Sequence, residues 1–224
     1  MYDAKATRLS LMNLTINQFI LKHDIDPKNY KFTDFFDYYT KKNNIFVDRN
    51  IPYIEDRFFL GLTARSDYST AIFLNPNVYK RRVNFSSCHE LTHCLFDMNY
   101  NVPSQEFFNF ENRETMYSME EIKMEDLADA GAGVIMLPDI KMLDALNSNK
   151  SYYRIADESK MSKSALYNRL IDFGIYSCGM SELTAVRSVR ELQDTGKRSL
   201  FRMYLTGVHS TRGKQIIYDF ENAI

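Results

Sequence analysis

Arg82-Val83-Asn84-Phe85-Ser86-Ser87-Cys88-His89-Glu90-Leu91-Thr92-His93-Cys94-Leu95-Phe96-Asp97-Met98 contains neither glycine nor proline. The run predicts a helix that Asn84 or Ser86 can cap and that Phe85, Leu91, Leu95, Phe96 and Met98 can bury. At its centre lies an H-E-x-x-H spacing. Residues four apart on a helix point the same way, so His89 and His93 can bind one metal ion together. Glu90 sits about 100° further round, within reach of a proton on an activated water. The competing interpretation is a core helix whose histidines merely hydrogen-bond neighbours. The helix, the spacing and the intervening glutamate agree in favouring the metal.

A metal held this way needs a third protein ligand. In one branch of such sites the motif continues to a further glycine and histidine. Phe96 and Asn99 fill those positions here, which excludes that branch. The next candidate is the stretch Glu125-Asp126-Leu127-Ala128-Asp129-Ala130-Gly131-Ala132-Gly133-Val134-Ile135-Met136-Leu137-Pro138. Its small residues suit close helix packing, and Pro138 stops it. Glu125 and Asp129 share a face. The expectation is that Glu125 binds the metal and Asp129 accepts a hydrogen bond from a metal-binding imidazole. Glu114, Glu120, Glu121 and Asp126 are rivals, and Glu125 as a first-turn acid complementing the helix dipole is the alternative. Two histidines and a glutamate leave a fourth position for water, the arrangement of zinc (Zn2+) hydrolases of the gluzincin type. Glu90 is then the general base. No oxyanion donor is evident; His209, Tyr152 and Tyr153 are candidates.

These residues resemble the ImmA/IrrE family of H-E-x-x-H metallopeptidases. The resemblance rests on three marks between residues 50 and 175. Ala71-Ile72-Phe73-Leu74-Asn75 reads as a strand ending in asparagine, followed by Arg82-Val83-Asn84-Phe85-Ser86 before His89. Glu125 to Pro138 carries Ala128, Asp129 and Ala132 in the family's pattern. Ile155-Ala156-Asp157-Glu158 through Leu166, then Arg169-Leu170 and Gly174, has a helix-turn-helix look. The chain departs from the pattern at Thr92, where the family has glycine, and at Gly131, where it has phenylalanine. The resemblance implies an α+β fold: a zincin-like (gluzincin-type) core with a small mixed or antiparallel sheet, plus a mainly helical C-terminal region. It also implies a zinc endopeptidase whose substrate is a helix-turn-helix transcriptional repressor of a phage or mobile element, cleaved to relieve repression.

Composition is compatible with that class. A formal net charge of -1 gives no global pull toward nucleic acid or anionic membrane. Three cysteines, Cys88, Cys94 and Cys178, suggest free thiols in a reducing compartment. No signal peptide and no membrane-length apolar run is evident, so a cytoplasmic protein is expected. The expected organisation is a metallopeptidase domain over residues 1–140 and a helical, helix-turn-helix-like region with a basic end over 141–224.

Periodicity predicts helices over 4–22 and 32–42, then strands at Ile45–Val47, Phe58–Ala64 and Thr70–Leu74, the last two forming a hairpin. Residues 99–122 read as a polar surface excursion with a few aromatic anchors. The substrate is expected to lie along an edge strand at Thr70–Leu74, beside Ile72, Phe73 and Leu74. A different class of function is a DNA-associated regulator that uses Ile155–Leu170, with Lys160, Lys163 and Arg169 toward DNA and the metal structural or sensory.

Overall fold

The computed structural model describes residues 3–50, 58–111, 116–207 and 210–223. Candidates Glu114 and His209 lie outside them. In chain order the elements are helices α1 (Ala4–Lys22) and α2 (Phe32–Lys42), strands β1 (Ile45–Asp48), β2 (Phe59–Arg65) and β3 (Thr70–Leu74), helix α3 (Lys80–Phe96) and strand β4 (Gln105–Phe110). Helices follow: α4 (Met119–Met136), α5 (Asp139–Asn147), α6 (Tyr152–Glu158), α7 (Lys163–Asp172), α8 (Glu182–Thr195), α9 (Ser199–Thr206) and α10 (Arg212–Glu221). The fold is mixed α and β. No described helix is long and apolar enough to cross a membrane.

Contacts divide the chain into two compact units, Phe32–Ala132 and Met1–Lys31 with Gly133–Ile224. The first holds a four-stranded mixed sheet in the order β1-β3-β2-β4. β3 pairs in parallel with β1, Val47 opposite Ile72, and antiparallel with β2, Thr63 opposite Ile72. This corrects the edge expected at Thr70–Leu74. The β1 neighbour takes the side of β3 that the hairpin leaves open, so Ile72 and Phe73 have no free backbone edge, and Ile72 and Leu74 are buried. A second correction concerns residues 99–122. Gln105–Phe110 is a strand, antiparallel to β2, with Thr63 opposite Phe107. Alternation explains it: Phe107 and Asn109 turn inward, while Glu106 and Phe108 are exposed.

Helix α3 packs on β2 and β3 and against α2. It starts at Lys80, so Asn84 and Ser86 are interior and cap nothing. Every residue from Ser86 to His93 is buried. Two of its buried hydroxyls bond back one turn, Ser87 to Val83 O and Thr92 to Cys88 O. Two histidines and a glutamate at zero exposure in such a helix are costly unless compensated.

The second unit is helical. The face of α1 carrying Leu9, Met12, Ile16, Phe19 and Ile20 is buried, as the periodicity predicts, and Asp3 caps it through Lys5 N and Ala6 N. Arg169 of α7 is 2% exposed. Its Nε donates to Leu137 O at 3.0 Å and its guanidinium pairs with Asp139. It therefore closes the carboxyl end of α4, and its stem passes within 3.1 Å of where a Cβ on Gly133 would stand. This explains a glycine inside that helix. It also corrects the placing of Arg169 among groups that face DNA.

Truncation of Arg169 leaves a half-buried Asp139 carboxylate without its cation and an uncapped helix end. Arg169→Ala is expected to destabilise the fold by about 2 kcal/mol, read as a lowered midpoint in urea unfolding. An unchanged midpoint would remove this pair from the fold's supports.

Candidate metal centre

One turn of α3 carries His89 and His93 on one face, and α4 brings Glu125 to them. The two Nε2 atoms stand 3.1 Å apart. Glu125 reaches both, Oε2 at 3.2 Å from His89 and Oε1 at 3.2 Å from His93. All three residues are buried. Each imidazole is fixed from behind: His89 Nδ1 lies 2.8 Å from Asp129 Oδ1, and His93 Nδ1 lies 2.9 Å from Asp97 Oδ2. A carboxylate only accepts, so both Nδ1 atoms carry the proton. In the neutral rings both Nε2 atoms then present lone pairs. Three acceptors thus converge, an arrangement that requires a positive charge between them.

The separations fit a metal. Ligand atoms about 2.0–2.1 Å from a tetrahedral zinc stand roughly 3.3 Å from one another, against 3.1 and 3.2 Å here. Without a metal a proton fills that role. Burial works against the imidazolium of His89, but hydrogen bonds to Asp129 and Glu125 outweigh it and hold the pKa up at about 10. Burial likewise favours neutral Glu125, yet the two histidines hold its carboxyl down to about 2.

Glu90 follows His89 about 100° round the helix, and its carboxylate meets the sheet. Thr63 of β2 donates to its Oε2 at 2.7 Å, and Asn109 of β4 donates to Oε1 at 3.1 Å. Burial pushes its pKa up, against the lowering influence of His89 and His93. A Cβ at Gly61 would stand 2.7 Å from Oε1, so β2 needs a glycine there. Phe107 stacks on the His93 ring, centroids 4.5 Å apart and planes 5° from parallel.

The sequence-derived candidates divide plainly. His89, His93 and Glu125 come together, with Asp129 behind His89. The rivals Glu120, Glu121 and Asp126 are exposed and outside the group. Burial holds the Cys88 thiol up and the Cys94 thiol at about 12, and neither joins the group. Tyr152 donates its hydroxyl to Lys163 O. Asp97, Thr63 and Asn109 were missed. Asp97 had a signal, a carboxylate four residues after His93 at the end of the same helix. Thr63 and Asn109 had none, because strand pairing alone brings them to Glu90.

The family model for the IrrE N-terminal-like domain, Peptidase_M78, matches residues 48–171, and the chain belongs to this peptidase family. It is a peptidase-family chain with a buried His-His-Glu group that could hold a metal. No curated protein and no solved structure matches.

The metal-free protein should show a definite pH dependence. The raised His89 pKa stabilises the fold fully below the ordinary 6.5, and that contribution is lost as pH rises through about 10. The lowered Glu125 pKa stabilises it above the ordinary 4.5, and that is lost as pH falls through about 2. Urea unfolding in the presence of a chelator is expected to weaken steadily from pH 6.5 to 10, and saturating zinc to abolish the slope. Asp97→Asn should lower zinc affinity about tenfold or more, measured by competition with a chromophoric chelator; equal affinity would exclude Asp97 from the support of His93.

Proposed function

We propose that the chain is a zinc-dependent endopeptidase with a zincin-like, gluzincin-type core. His89, His93 and Glu125 hold the ion, Glu90 is the catalytic base, and Asp129 and Asp97 orient the imidazoles. The observation that carries this reading is the convergence of the two Nε2 atoms and the Glu125 carboxylate at 3.1–3.2 Å, one residue from a buried glutamate. Bound zinc supplies Lewis acidity, making water acidic at neutral pH and polarising a carbonyl. Glu90 takes the proton of the attacking water and returns it to the leaving amine. Thr63 and Asn109 hold the Glu90 carboxylate in one orientation meanwhile. Family membership supports a protein substrate. The proposed substrate is a helix-turn-helix repressor of a phage or mobile element, cleaved in the cytoplasm to relieve repression.

The regulator reading keeps the helix pair α6–α7 but has less to work with. Arg169 is buried against Leu137 and Asp139. Lys163 lies over the Tyr153 ring at 4.8 Å.

Glu90→Gln is expected to keep one zinc per chain and lose cleavage of a co-expressed repressor by at least about a hundredfold. Glu125→Ala should lose the zinc itself. Full cleavage by Glu90→Gln, scored by mass spectrometry of the fragments, would sink the mechanism. Salt-dependent duplex binding that vanishes in Lys163→Ala would favour the regulator instead.

A further inference from the structure

β4 is an edge strand whose inner residues reach the candidate site. Phe107 stacks on His93 and Asn109 bonds Glu90. Among the described residues it pairs only with β2. Backbone groups of alternate residues point to opposite edges of a strand. Glu111 N donates to Phe58 O beside β2, so Phe108 and Phe110 face outward. An extended peptide added at that edge must use Phe108 O and Phe110 N–H, whichever way it runs.

Both groups are already taken, and by one atom. The Tyr117 hydroxyl donates to Phe108 O and accepts from Phe110 N at 2.8 Å. It thus offers the donor and acceptor that one residue of a parallel strand, or two residues of an antiparallel one, would offer. The ring rests near Phe110, centroids 6.1 Å apart. Apolar surface lies at the same place in the chain: Phe108 is 41% exposed, and Met116 and Met119, on either side of Tyr117, are 56% and 71% exposed.

We propose that Tyr117 is a built-in competitor for the substrate edge. Its hydroxyl stands in for the substrate backbone at Phe108 and Phe110, and an extended protein segment with apolar side chains binds by displacing it. This rests on the peptidase reading, and the test separates the two. The full-length, zinc-loaded protein and its Tyr117→Phe variant are titrated with acetohydroxamate, which reaches only a metal, and with a leucine-rich tripeptide hydroxamate, which also needs the edge. The variant keeps the ring, so its melting point serves as a folding control. Tyr117→Phe is expected to bind the tripeptide probe about tenfold tighter and acetohydroxamate equally. Hydrogen exchange at the Phe110 amide should quicken in the free variant and slow again when the tripeptide probe binds. Acetohydroxamate binding with no gain for the tripeptide probe overturns the role of Tyr117 and leaves the peptidase reading standing. Failure of both probes on both proteins overturns the peptidase reading and this inference with it.

Discussion

Three buried proton acceptors turned toward one another govern this structure. His89 Nε2, His93 Nε2 and the Glu125 carboxylate would repel if nothing positive stood among them. Asp129 and Asp97 make the demand sharper, because they draw the only imidazole protons to the far side of each ring. A helix that buries His89, Glu90 and His93 completely is tolerable only if that demand is met. The high His89 pKa and the low Glu125 pKa express the same demand as an appetite for protons.

The sheet answers for the fourth polar residue. Glu90 stands about 100° round α3 from His89, and its carboxylate meets β2 and β4. Thr63 and Asn109 each give it a neutral donor, which satisfies its oxygens without adding a counter-charge. Room for it depends on Gly61, where any side chain would start 2.7 Å from the Glu90 carboxylate. A residue one strand away is therefore as constrained as the motif itself, though nothing in the motif names it.

Local features were legible in the sequence and pairings were not. The face of α1, the helix carrying the motif and the carboxylates at Glu125 and Asp129 follow from spacings of three and four along one helix. Strand order has no such signature. Thr70–Leu74 looks the same as an edge or an interior strand until Ile45–Asp48 is known to lie in parallel beside it. Gln105–Phe110 was hidden by its polar neighbours, although its alternation was present. The grouping of α1 with residues 133–224 also lies beyond local pattern, since contacts such as Tyr30 OH to Ile135 O join positions far apart in the chain.

An exposed strand edge is a liability, because it templates pairing with any extended chain. Strand, loop or helix could cover β4, but each would bury the edge behind many bonds. A single hydroxyl satisfies the two outward groups nearest Glu90 and His93 while making only two bonds. Net contributions of about 1 kcal/mol apiece suffice to deter casual pairing, yet fall short of what several backbone bonds and apolar side chains supply together. A segment that engages the whole edge wins against Tyr117, and one that offers a lone bond does not. Selectivity of the proposed peptidase then begins with what already occupies the edge, before any substrate side chain is examined.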